Sequence, residues 1–302
     1  MKHVAVLMGG WSAEREVSLR SGAASIDALR DSDYKVTGID VDRALAQKLV
    51  EIQPDVALNM LHGPYGEDGC VQGLLEIMQI PYSHSGVLTS ALAMNKEKAR
   101  DIFQRAGIPV ADGRSVDRKD AASAHPMKPP YVVKPIANGS SVGVYIVRDD
   151  AQSPLKELAA DDWAFGEHVL VEKYVAGKEL TCAVMGDRAL DVIEITSDLP
   201  FYDYTAKYAP GGSKHLLPAP LPKDVYARVQ ELALKAHQAL GCRGVSRSDF
   251  RYDDATGELV CLETNTQPGM TPTSLVPELA AHAGLSFSQL VTWMIEDASL
   301  NR

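Results

Sequence analysis

The chain has 302 residues with a formal net charge of −10, 23% charged and 45% apolar, an ordinary globular composition too long for one small core and suited to two or three domains. The acidic balance argues against a nucleic-acid backbone as the main partner, which selects for basic surfaces, but leaves room for ATP held by local lysines, arginines and metal. No apolar run approaches the roughly 18 residues of a membrane span, and no cleavage pattern follows the N-terminal strand. The four cysteines form no CxxC pair, so buried, reduced thiols in a cytoplasmic protein are expected.

Val4-Ala5-Val6-Leu7-Met8 is continuously apolar and ends in Gly9-Gly10, which predicts a buried strand of a parallel sheet. Ser12 is placed to cap a following helix that carries Glu14, Val17, Ser18, Ser21 and Ala24. Further strands are expected at Val36–Asp40 and Val56–Met60, with helices between, giving an open α/β sheet whose ligands sit beyond the carboxyl ends of its strands. Glu14 and His62 fall just past such ends. For Glu14 the alternative is a first-turn carboxylate favoured by the helix dipole, and for His62 a loop histidine bonded to backbone. The Gly9-Gly10 pair lacks the G-x-G-x-x-G spacing of a dinucleotide loop. His62–Gly69 is a charged, glycine-rich loop of the type that approaches ligands closely.

Asn95-Lys96-Glu97-Lys98 opens a helix running to about Ala106, closed by Gly107. A linker-like stretch, Ala121–Pro130, leads into Tyr131-Val132-Val133-Lys134-Pro135, where a lysine ends an apolar strand. Asn138-Gly139-Ser140-Ser141-Val142-Gly143 follows, either a loop whose amides and hydroxyls close on phosphate oxygens or a plain hairpin. It is not a Walker loop, because the lysine precedes the glycines. Val169–Val175 is a strand whose Glu172 and Lys173 interrupt an apolar run, suggesting polar readout at its end.

Glu179–Met185 and Ala189–Ile195 read as paired strands. Phe201–Gly212 is rich in tyrosine and glycine, either a lid or an ordered surface loop. Pro222–Leu240 has helical spacing at Val225, Val229, Leu232, Ala236 and Leu240, stopped at Gly241. Strands around Val245–Tyr252 and Leu259–Asn265 come next, before a helical C-terminal region. On extended backbone, Glu263 and Asn265 leave one face, as do Arg247 and Asp249. Two carboxylates and an amide oxygen, without His or Cys, form a hard donor set that suits Mg²⁺ completing its shell with phosphates and water. The plain alternative is a solvated strand edge.

In this order the motifs resemble the D-alanine–D-alanine ligases of the ATP-grasp superfamily, over nearly the whole chain. The match runs from Gly9-Gly10 with Ala13–Ser18, through His62–Gly69, Lys134-Pro135 and Gly139–Gly143, to Tyr202-Asp203-Tyr204 with Ala206-Lys207-Tyr208, Arg247 with Asp249, and Glu263–Ser274. The resemblance implies an N-terminal open parallel α/β domain (1–92) and two α+β subdomains (93–178 and 179–302) that clasp ATP. It places Lys96, Lys134, Ser140 and Ser141 at the nucleotide phosphates, Glu172 and Glu179 at the adenosine, and backbone near Lys173 and Val175 at the base. Asp249, Glu263 and Asn265 would hold two Mg²⁺, with Mn²⁺ as the alternative. Glu14 would hold the first D-alanine and orient Ser140 with Tyr208, and His62 and Lys207 would join the substrate contacts, Lys207 also reaching ATP. Arg247 and the Gly269 N–H would hold an oxyanion, and Ser274 and Leu275 would meet the second D-alanine. Tyr208 goes with dipeptide rather than D-alanyl-D-lactate products, and the family implies a homodimer. Trp11 departs from the smaller polar residue common at its position.

Overall fold

Val4, Ala5, Val6 and Leu7 are fully buried in β1 (Lys2–Gly9), as a strand covered on both faces requires. The computed structural model describes residues 1–139, 142–149, 151–196 and 213–302. β1 pairs in parallel with β2 (Tyr34–Val41) on one side and β3 (Val56–Asn59) on the other. The helices between them are α1 (Arg15–Ala28) and α2 (Leu45–Ile52), and α3 (Cys70–Ile77) follows β3. The backbone at Tyr82 bridges Ala57 in parallel and Ser299 in antiparallel fashion, so residues near the end of the numbering complete the edge of the first sheet.

Two antiparallel sheets make up the rest. After α4 (Val87–Met94) and α5 (Lys96–Arg105) comes a four-stranded sheet of order β4-β7-β5-β6, built from β4 (Gly113–Asp117), β5 (Tyr131–Pro135), β6 (Tyr145–Val147) and β7 (His168–Lys173). The five-stranded sheet has order β10-β9-β8-β11-β12, from β8 (Lys178–Met185), β9 (Arg188–Thr196), β10 (Lys214–Leu216), β11 (Val245–Asp253) and β12 (Glu258–Asn265). Helix α7 (Lys223–Leu240) buries Val229, Leu232, Ala236 and Leu240 against this second sheet and stops at Gly241, whose φ of 73° is the left-handed conformation glycine adopts readily. The last helices, α8 (Leu275–His282) and α9 (Phe287–Asp297), place Leu275, Leu290 and Ile295 in one core with Val4, Val6 and Leu58 of the first sheet. No helix among the described residues is long and apolar enough to cross a membrane.

Three local expectations change. Ser12 does not cap α1: the N-cap is Glu14, and the Ser12 hydroxyl donates to the His62 carbonyl at 2.7 Å. Gly9 and Gly10, at φ 78° and 75°, turn the chain after β1, and the helix is capped two residues later than Ser12. The linker-like stretch is partly helical, since α6 (Arg118–Ser123) runs through Ala121 and is capped by the Asp117 carboxylate. Three cysteines are buried as expected, but Cys70 is exposed at the start of α3, and all four are free.

Candidate active site

The register of β11 against β12 sets Asp249 opposite Glu263 and Arg247 opposite Asn265. Because alternate residues share a face, all four side chains stand together. Arg247 grips Asp249 with two bonds, Nε to Oδ1 at 2.9 Å and Nη2 to Oδ2 at 2.7 Å. Thr181 Oγ1 and Asn265 Nδ2 also donate to this carboxylate, at 2.6 and 3.2 Å. Lys96, the first residue of α5, brings Nζ to 3.3 Å from Glu263 and donates to the Asn138 carbonyl at 2.5 Å. One lysine thereby joins the oxygen-rich strand pair to the loop after β5.

A cavity of about 440 Å³ lies between the four- and five-stranded sheets, with Lys134 and Glu172 on one wall and Glu194, Asp249 and Glu263 on the other. Glu172 is 3% exposed and is held between Lys134 and Arg100. Arg100 Nη2 also donates to the Ala111 carbonyl at 2.9 Å. The buried Glu172 charge is therefore matched by two cations, the condition under which a buried carboxylate stays tolerable. Lys173 turns outward to Glu258 at 2.8 Å, and its N–H donates to the Asp112 carbonyl. The Val175 carbonyl accepts from Arg251 Nε at 3.2 Å, and Arg251 Nη1 reaches Glu179 at 3.5 Å. Lys178 and Glu194 add an ion pair at 2.8 Å on the same wall.

At the other end, the Glu14 carboxylate is wedged between two glycines. A Cβ at Gly63 or at Gly139 would stand 3.2 or 3.3 Å from its Oε2. His62 is buried, with Nδ1 at 3.1 Å from Glu67 and Nε2 at 3.4 Å from Ser21 Oγ. Burial works against a charged His62, but the hydrogen bond and charge of Glu67, with the charge of Glu14, outweigh it and raise the imidazole pKa above its usual value. For Glu67 burial prevails, and its carboxyl is raised despite His62. Ser21 also accepts from the Met270 N–H at 3.2 Å, and Asn59 donates to Gln267 at 2.7 Å. The segment after β12 is thus tied to the carboxyl end of β3. Gly269 sits in that segment, where an added Cβ would meet Ser274 Oγ at 3.0 Å. Ser274 is the N-cap of α8, and Leu275, its first residue, is buried.

The structure brings Lys96, Lys134, Glu172, Glu179, Asp249 and Glu263 to one cavity. Ser140, Ser141, Lys207 and Tyr208 lie outside the described residues. Arg100, Lys178 and Glu194 carry no local sequence signal that marks them. Among the described residues no group of three or more His, Cys, Asp or Glu side chains gathers as a metal set. The oxygen face holds two carboxylates and an amide, so its donor chemistry fits a hard cation that takes further oxygens from substrate and water.

A sequence profile described as the D-ala D-ala ligase C-terminus matches residues 102–296, and the corresponding N-terminal profile matches 44–85. The chain belongs to the D-alanine–D-alanine ligase family. A ligase of that name from Methylobacterium radiotolerans is 66% identical over 307 residues, covering 100% of this chain and 99% of its own. One from Xanthobacter autotrophicus is 64% identical over 304 residues with the same coverage. Among solved structures, the Bacillus anthracis D-alanine–D-alanine ligase complexed with ATP has TM-score 0.84 and 32% identity, covering 98% of this chain and 97% of its own. The VanG D-Ala:D-Ser ligase from Enterococcus faecalis has TM-score 0.81 and 32% identity, with 98% of each chain covered. The fold is the ATP-grasp fold of the family, as expected from the motifs.

Proposed function

We propose that this chain is an ATP-dependent ligase that joins two D-alanines into D-alanyl-D-alanine for peptidoglycan precursors, releasing ADP and phosphate through a D-alanyl phosphate. The observation that carries the reading is the cavity between the two antiparallel sheets, with lysines on one side and the Asp249–Glu263 face on the other. In this reading ATP occupies that cavity with Lys96 and Lys134 at its phosphates, and the family resemblance adds Ser140, Ser141 and Lys207. Glu172 and Glu179, with the backbone of Lys173 and Val175, meet the adenosine. Asp249, Glu263 and Asn265 hold two Mg²⁺ in this reading, or Mn²⁺ in their place. Bound there, a divalent cation neutralises charge on the transferring phosphoryl oxygens.

Glu14 and His62 orient the first D-alanine so that its carboxylate faces the γ-phosphate, and positioning supplies most of the advantage. The amine of the second D-alanine then attacks the acyl phosphate, with Arg247 and the Gly269 N–H holding the oxyanion. Ser274 and Leu275 receive the second carboxylate at the start of α8, where unpaired helix amides favour an anion. By the family resemblance Glu14 also orients Ser140 with Tyr208. We read the chain as three units, 1–92, 93–178 and 179–302, a division that the three sheets support. A cytoplasmic homodimer is the assembly we favour, because Ile77 and Leu88 on neighbouring helices α3 and α4 are 84% and 71% exposed.

The test is phosphate release from Mg·ATP with D-alanine, with L-alanine, and with D-alanine plus D-lactate or D-serine. Release with D-alanine alone, a dipeptide product and no release with L-alanine is the expected result. D-serine belongs in the screen because a D-Ala:D-Ser ligase shares the fold at TM-score 0.81.

A further inference from the structure

Helix α8 is preceded by Ser274 as its N-cap, and its first turn carries an acidic residue, Glu278. Pro277 at the third helical position has no N–H, so this helix end offers the amides of Leu275 and Val276 to an anion. Helical side chains point back toward the N-terminus and cover the preceding turn. From one turn above Ser274 the Glu278 side chain can therefore turn back toward the place where an acceptor carboxylate would dock. In the folded chain it is paired with a neighbouring strand. His215 on β10 brings Nδ1 to 2.6 Å from Glu278 Oε2. A carboxylate only accepts, so Nδ1 is the donor. His215 is itself fixed, because its backbone pairs with Ile195 of β9 and its Nε2 lies 3.3 Å from Ser213 Oγ.

We infer that His215 is a positioning residue for the acceptor: it restrains Glu278, which otherwise competes with the acceptor's carboxylate for the start of α8. The inference rests on the reading that the second D-alanine docks at Ser274 and Leu275. Neither His215 nor Glu278 lines the nucleotide cavity, so the restraint is expected to act on the acceptor. Glu278 is partly exposed, with a side-chain accessibility of 37%, so water moderates the competition and the effect is modest.

The experiment is a two-residue cycle in the full chain, following acceptor D-alanine KM, ATP KM and kcat by phosphate release. His215→Ala is expected to raise the acceptor KM roughly two- to fivefold, the size of charge effects at helix ends, with ATP KM and kcat unchanged. Glu278→Gln, which removes the competing charge, is expected to leave the acceptor KM at or below that of the unmodified protein. The double variant is expected to recover the unmodified value, which loss of packing at His215 would not allow. An unchanged acceptor KM in His215→Ala, or a double variant as impaired as His215→Ala, overturns the inference. Unmodified protein that releases no phosphate with D-alanine overturns the reading of the reaction itself, and this inference with it.

Discussion

Asp249 and Glu263 stand opposite each other across the β11–β12 ladder, two carboxylates where like charges ordinarily repel. Arg247 takes both oxygens of the first, and Lys96 reaches the second at 3.3 Å. The pair is thus balanced by groups that the proposed reaction also needs. A cation entering this face would join an arrangement already compensated for negative charge.

Glu263→Gln is the direct probe of that face. Turnover is expected to fall about 10²–10³-fold, the usual cost of removing one element of a charge-stabilising set. The melting temperature should change little, because relief of the carboxylate–carboxylate pairing offsets the lost ion pair to Lys96, which keeps its bond to the Asn138 carbonyl. Steady-state phosphate release and a thermal melt check both statements, and near-normal turnover would remove Glu263 from the metal site.

Arg100 should matter for stability as much as for nucleotide binding. Its guanidinium is one of two cations on the buried Glu172. Arg100→Leu leaves that carboxylate half-compensated in a place with little water, and a cost of about 3–5 kcal/mol is expected. Urea unfolding measures it. Adding Glu172→Gln to the same chain should recover much of the loss, since the stranded charge is then gone.

Two histidines make stability depend on pH. Burial pushes His84 down to about 3 and His237 down to about 4, from an ordinary 6.5. The folded chain keeps both neutral while the unfolded chain protonates them below 6.5. Their contribution is therefore complete above pH 6.5 and lost as the pH falls toward those values, at about 1.4 kcal/mol per pH unit for each. Urea midpoints between pH 7 and pH 5 should show the decline, and His237→Asn should flatten it.

Tyr208 is the residue to change for acceptor choice. It lies outside the described residues, and the expectation rests on the family motif Ala206-Lys207-Tyr208. Tyr208→Phe should raise the ratio of D-alanyl-D-lactate to dipeptide when D-alanine and D-lactate compete. An unchanged product ratio by mass spectrometry would sink this specificity argument.

The oxygen face was legible in the sequence because strand geometry makes i and i+2 neighbours, and Arg247, Asp249, Glu263 and Asn265 obey that spacing. Lys134 is legible from its motif with Pro135, and Lys96 only from the family resemblance. Arg100 is not legible. It lies on a helix whose charges beyond Lys96 are otherwise at the surface, and its partner is 72 residues away, a separation at which no local pattern operates. The Lys178–Glu194 pair was hidden similarly, since it depends on how β8 and β9 align. The capping preference of Ser12 is a local rule, and it gives way here because the two left-handed glycines before it lead the chain to a later helix start. Helix α6 escaped because it is six residues long and sits in a polar, proline-rich stretch.

Helix α9 and the bridge from Tyr82 to Ser299 bear on how the chain is made. Val4, Val6 and Leu58 pack against Leu290 and Ile295 as well as Leu29 at the end of α1, so the face of the parallel sheet that α1 covers in part is completed only when α8 and α9 have been made. Arg302, whose side chain is 3% exposed, closes the same corner by donating to the His84 carbonyl at 2.8 Å. The opening sheet therefore cannot mature on emergence. It must wait, with apolar surface uncovered, while both antiparallel sheets are synthesised, and this interval is where a nascent chain is most exposed to aggregation and most in need of a chaperone.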